Sequence, residues 1–256
     1  MSMKKSLISA ILIINLGMCS LISAQQYNSD NYLVMPHGIG TIVLTTGERN
    51  VSFVTSLALI PKFEFAVAGY LFWDDQTTQS PQHFTTSLYA KYSVWVNKEN
   101  NGGLAAFLGL GNSPSYYEQT QFVDLHKNYW TAIAFTLPLF NNKLSWDLFP
   151  GAIVDIDYGE DSEVAWGFTY STRLTINNVI PKFNIVGEIF GTEGKAFSPT
   201  EFRAGIQWIR NTYIIPSFTF GSQLNGNKGA GFEIGVMILT PPFLKKDYLK
   251  QNKLVY

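Results

Sequence analysis

His83 and Ser87 are the one pair in this chain that its spacing offers as base and nucleophile. On a strand, residues four apart lie roughly 13 Å from each other. That is too far for a base to take a proton from a hydroxyl. The other histidines, His37 and His126, fall before the first predicted strand and in a long connection. A second cluster is acidic: Asp155, Asp157, Glu160, Asp161 and Glu163. Spaced carboxylates can hold Ca²⁺. The run Asp-Ile-Asp-Tyr-Gly-Glu-Asp lacks the EF-hand pattern, however, and a solvated acidic mouth accounts for it more simply. Gly102-Gly103 and Gly109 to Gly111 sit in strand or turn context and not before a helix, so they are not nucleotide fingerprints. No catalytic residue, metal site or cofactor is expected. Connection Ser113–Asn128 carries Tyr116, Tyr117, Phe122 and His126. It is open to three readings: a packed surface loop, an inward constriction, or a site for a partner or sugar.

The remaining charges fall into a pattern. Along Val164–Ile176 one set reads Val164, Trp166, Phe168, Tyr170, Thr172, Leu174 and Ile176. The other reads Ala165, Gly167, Thr169, Ser171, Arg173 and Thr175. Successive strand residues point to opposite faces, so one face is oily and the other small and polar. The same alternation places Glu64, Lys91, Asp147, Asp155, Asp157, Arg173, Glu188, Arg203 and Glu233 opposite the oily face. A Lys or Arg facing hydrocarbon at mid-membrane costs about 2–4 kcal/mol, which a polar lumen avoids. Strand order pairs Glu64 with Lys91, Asp147 with Arg173, and Glu188 with both Arg173 and Arg203. Two readings stay open. The charges form a constriction that selects solutes by sign, or they form a self-neutralising network that fills a narrow barrel.

The elements that must carry these side chains are strands near 38–46, 51–59, 63–73, 83–96, 102–112, 128–138, 143–157, 163–176, 182–191, 200–209, 212–221 and 229–240. Their number is even, as in single-chain bacterial barrels, and their length suits a tilted crossing of a bilayer. The connections alternate between tight turns (Ile60-Pro61-Lys62, Phe140-Asn141-Asn142, Asn177–Pro181) and mostly longer polar segments. Ile60-Pro61-Lys62-Phe63 recurs as Ile180-Pro181-Lys182-Phe183, open to two readings: a trace of half-barrel duplication, or, the simpler one, shared turn chemistry. Trp73, Trp146, Trp166 and Trp208 lie near strand ends on the oily face, as an aromatic girdle would; Trp95 and Trp130 fall on the other face. The predicted fold is all-β: a closed antiparallel transmembrane β-barrel of about twelve strands.

Composition agrees. Of 256 residues, 46% are apolar, 15% aromatic and only 14% charged, where a soluble domain carries about a quarter charged. Lys4, Lys5 and apolar Leu7–Leu16, followed by Ile22-Ser23-Ala24, predict a signal peptide over 1–24. The barrel is then expected over 25–243 and a periplasmic tail over 244–256. Cys19 falls inside the signal, so the mature chain is expected to lack cysteine and disulfides. Loss of Lys4 and Lys5 takes the formal charge from −1 to −3, which gives no support to a nucleic-acid partner. The expected surroundings are outer-membrane lipid in a didermic bacterium, with a small solute as partner.

With its alternating strands, Gly-rich faces and tight Pro or Asn turns over residues 33–243, the chain resembles porin-like outer-membrane proteins. It is similar in style to the small transporters grouped with the phenol-degradation MetA pathway. That resemblance implies passive passage of small solutes and carries over no catalytic residue. A closed structural or receptor barrel acting through its outer loops is the alternative. A third reading is a lipid hydrolase like outer-membrane phospholipase A. That family sets its His and Ser two residues apart and follows them with Asn-Gly; here the stretch is His83-Phe84-Thr85-Thr86-Ser87. A secreted soluble β-sandwich is the fourth.

Overall fold

The computed structural model describes residues 27–72, 83–117, 121–156, 164–211, 213–225 and 230–243. Every regular element among them is a strand. In chain order these are β1 (Gly40–Gly47), β2 (Asn50–Ile60), β3 (Phe63–Phe72), β4 (His83–Val96), β5 (Gly103–Tyr117), β6 (Gln121–Leu139) and β7 (Leu144–Leu148). They continue as β8 (Gly151–Ile156), β9 (Val164–Ile180), β10 (Phe183–Gly194), β11 (Ser198–Trp208), β12 (Ile214–Gln223) and β13 (Gly231–Leu239). Each pairs antiparallel with its neighbours, and β13 pairs back onto β1 from Thr41↔Leu239 to Gly47↔Glu233, so the sheet closes.

β7 and β8 lie end to end between β6 and β9 and share one continuous register, so the barrel has twelve staves. The break falls at Phe149-Pro150. Proline has no N–H to give to the ladder, while its carbonyl still accepts from Ile133 N at 2.9 Å. Asp147, Phe149 and Asp155 therefore keep to one face across the gap.

The turns at one end are tight because backbone conformations suit them. Lys62 and Lys182 both take positive φ, 68° and 72°, behind Pro61 and Pro181. Proline fixes the second turn position and the third goes left-handed, as a type II turn requires. Phe140, Asn141 and Asn142 are left-handed in the β6–β7 turn. The approach to β1 and the exit from β13 meet at this same rim, where Phe243 N donates to Gly38 O at 2.9 Å. By the usual asymmetry of outer-membrane barrels the short-turn rim is periplasmic and the long-connection rim external. The longest predicted connection, 113–127, proves to be strand: β5 and β6 run on as a hairpin to Tyr117↔Gln121.

Alternation sets the two faces as the sequence reading expects. Val164, Trp166, Phe168, Leu174 and Ile176 are exposed on β9, while Gly167, Ser171, Arg173 and Thr175 are buried. Bare apolar side chains ring the outside, and among the described strands the closed ladder leaves no unpaired sheet edge. A lipid bilayer admits that arrangement, and the protein is an outer-membrane β-barrel. Leu108 is 70% exposed near the middle of β5. Leu108→Lys should therefore destabilise the folded barrel in lipid vesicles by about 2–4 kcal/mol, the cost of a lysine at the bilayer midplane. A urea titration reads it, and a neutral result would contradict the assignment of the outer face.

Trp146, Trp166 and Trp208 are exposed outside, whereas Trp73 lies outside the described residues. Trp95, read as inward from alternation, is 54% exposed. A register shift between Ser93 and Trp95 adds one residue to β4 and re-aims the indole.

Candidate functional site: a lumen floored by the N-terminal strap

The segment ahead of β1 runs inside the barrel. Tyr27, Ser29, Asp30, Asn31, Tyr32, Val34 and Met35 are all buried, although none belongs to a strand. From Gly38 the chain pairs with β2, through Gly38 N to Ala58 O and Ala58 N to Ile39 O. Upstream of that it forms a strap across the lumen.

The strap's backbone groups cannot join a ladder that is already closed, so wall side chains satisfy them. Met35 N donates to Glu64 Oε2 at 3.1 Å, and Tyr32 N to Thr136 Oγ1 at 3.2 Å. Asn28 N and Ser29 N donate to the two oxygens of Glu188, and Ser29 O accepts from Arg173 Nη1 at 2.8 Å. Ser29 Oγ and Ser171 Oγ share a hydrogen bond. Lys91 Nζ reaches Asp30 Oδ1 at 2.9 Å. Burial pushes the Asp30 carboxyl above the ordinary carboxylate range, and the Lys91 ammonium pulls the other way. Tyr32 OH donates to Asn100 O at 2.7 Å, and its ring lies against Gly103, where a Cβ would come within 2.6 Å of the ring.

Apolar packing completes the seat. Met35 joins Val43, Val54, Ala58, Ala68, Ile215, Met237 and Leu239 in one buried cluster, with Leu33 and Ile39 against it. These wall residues face inward and would meet water in an open pore. Their partners are apolar side chains of the strap and β1 together with the wall tyrosines Tyr70 and Tyr89.

Every predicted pairing of lumen charges is found in register: Glu64↔Lys91, Asp147↔Arg173, Glu188↔Arg173 and Glu188↔Arg203. Arg173, wholly buried, binds Asp147 Oδ2 through Nη2 at 2.8 Å and Nε at 2.9 Å. Thr136 Oγ1 donates to the other Asp147 oxygen at 2.6 Å. Arg203 pairs with Glu233 at 3.2 Å, an alliance across β12 that strand order did not name. Asp155 is buried and accepts from Asn128 Nδ2 at 2.8 Å. Asp157 lies outside the described residues.

Strap and wall together divide the lumen. In the periplasmic half, Glu64, Lys91, Asp147, Arg173, Asn184 and Gln207 are each no more than 2% exposed. Toward the external rim a cavity of about 610 Å³ remains, floored by Tyr27, Asn28 and Asp30. One side of it is aromatic, with Tyr70, Tyr89, Phe107, Trp130 and Phe149. Among the described residues the charged lining consists of Asp30, Asp155, Glu201 and Glu233 with Arg49 and Arg203, so acids outnumber bases there. Ser87, the nucleophile candidate, accepts the Trp130 indole N–H at 3.2 Å.

No family model matches this sequence, and no curated protein matches it. Among solved structures it is similar to the KdgM porin, at 12% identity and a TM-score of 0.52 over 78% of this chain and 98% of that one. The same porin in complex with disordered oligogalacturonate aligns with a TM-score of 0.50, at the same identity and coverage. The COG4313 outer membrane channel from Pseudomonas putida F1 aligns at 15% identity, with a TM-score of 0.49 over 84% of this chain and 99% of that one. At these identities the likeness is one of fold.

Proposed function

We propose that this protein is a passive outer-membrane channel for small solutes, held closed in the described state by its N-terminal strap. The observation that carries the reading is the two-part lumen. An external vestibule leads to a floor that is made of a non-ladder segment rather than of the wall. Twelve staves lie between the eight whose interior side chains fill and the sixteen or more that leave an aqueous channel. A barrel of this size can be shut by one extended chain and opened by its departure. The chain is read as non-enzymatic, because His83 and Ser87 stand four residues apart on β4, roughly 13 Å and too far for base and nucleophile to meet.

The sign of the lining supports selection for cations. Asp30 leaves with the strap, and among the described residues of the wall Asp155, Glu201 and Glu233 still outnumber Arg49 and Arg203 around the vestibule; such rings set selectivity by charge. In a KCl gradient the conducting form should show a reversal potential of cationic sign, and Glu201→Gln should move it toward zero. An anionic reversal potential would contradict the reading.

The filled periplasmic half favours one other reading, a closed barrel that acts through its external connections. It predicts no conductance with or without the strap.

A further inference from the structure

We propose that the vestibule binds a small organic cation, its apolar body stacked on Trp130 and its charge facing Asp155. This deepens the channel reading by naming the class of solute that the open path would select, and it rests on that reading for its purpose.

Trp130 is mounted as a platform. Its indole lies directly over Gly109, where a Cβ would come within 2.1–2.4 Å of three ring atoms at once. Only a residue without a side chain lets the ring lie so close to the wall. The Nε1–H bond to Ser87 Oγ at 3.2 Å fixes the ring's rotation. One face of the indole is thus spent on the wall, and the half-exposed ring turns the other toward the vestibule it lines. Tyr89 and Phe107 flank it with ring centroids at 5.5 and 6.4 Å, and Phe149 meets Phe107 edge-on at 5.0 Å.

The counter-charge sits one diagonal away. Asn128 is opposite Asp155 on the β6–β8 ladder, and Trp130 is two residues along the same face from Asn128. Diagonal neighbours of this kind lie roughly 7–8 Å apart, about the width of a small ammonium and its substituents. Aromatic faces attract cations through their quadrupole, most strongly when the site is partly desolvated. The barrel already uses this interaction within the same cluster: Lys91 Nζ stands 5.2 Å from the Phe107 centroid. The acid excess of the lining disfavours an anion of the same shape.

The test is equilibrium binding to the full mature protein refolded in detergent, by calorimetry, and it needs no conductance. The probes are benzyltrimethylammonium, benzyl alcohol and benzoate, which share a ring and differ in charge. The cation should bind saturably and about tenfold tighter than the alcohol, the order that one opposite charge supplies at a partly desolvated site, with benzoate weakest. Asp155→Asn should remove the preference for the cation over the alcohol while keeping the shape of the site. Gly109→Ala, which lifts the indole without touching a charge, should weaken both. Equal affinity for cation and alcohol, tighter benzoate, or an unchanged preference in Asp155→Asn would overturn the proposal. A channel that conducts but shows no such preference would sink this inference alone. Preferential binding in a barrel that never conducts would leave the site and sink the channel.

Discussion

Deleting residues 27–35 should convert a silent or barely conducting barrel into one with large, discrete conductance steps in planar bilayers. The ladder does not depend on the strap. β1 closes on β13 through seven consecutive residue pairs, all downstream of it. What the strap supplies is occupancy of the lumen. Its departure leaves Glu64, Lys91, Glu188 and Arg173 facing a water-filled path, where their charges are solvated rather than stranded. The fold should therefore survive, with unchanged heat-modifiable migration on gels. A deletion variant that folds and inserts yet conducts no better than the intact chain would refute the gate and favour the closed-barrel reading.

Arg173→Met should be the most damaging single substitution among the lumen charges. Arg173 is wholly buried between Asp147 and the strap. Removing one partner of a buried ion pair strands the other and costs about 3–5 kcal/mol. The double variant Arg173→Met/Asp147→Leu removes both charges and should recover most of that loss, because apolar replacement of a buried pair is often neutral. Urea unfolding in lipid vesicles reads both. The double variant still lacks the guanidinium that donates to Ser29 O, so it should be stable and yet leak current. Stability restored without any rise in conductance would separate the pair from the strap and contradict its holding role.

The barrel was legible because its signal is repeated. Alternation in Val164–Ile176 and its counterparts fixes which side chains face lipid, and strand order then names the neighbours of Arg173 and Glu188. Those registers appear in the structure as read. The strap was not legible, because its residues answer to no period. Its N–H groups go to Glu64, Glu188 and Thr136 side chains, contacts that sequence spacing does not encode. One trace was present: Val43, Val54, Ile215 and Met237 are apolar on the polar face, and a lumen wall with an oily patch needs something to cover it. The β5–β6 hairpin was hidden for the opposite reason. Its backbone ladder continues through polar residues and Pro114, and composition alone marks such a stretch as loop. Lys91 shows the limit of strand order most clearly. Glu64 is its neighbour in register, but the carboxylate 2.9 Å from its Nζ belongs to Asp30, 61 residues away in sequence.

The most direct test of the strap's place in the lumen is a cross-link between Ser29→Cys and Ser171→Cys in a Cys19→Ser background, formed in outer membranes and read by mass spectrometry. The two hydroxyls are hydrogen-bonded across the lumen, and sulfurs in their places are within reach of a disulfide. Near-complete intramolecular cross-linking under mild oxidation, with the oxidised barrel electrically silent, is the predicted result. Free thiols that label readily from solution, in a barrel that conducts like the strap-deleted form, would place the strap outside the lumen and contradict the account.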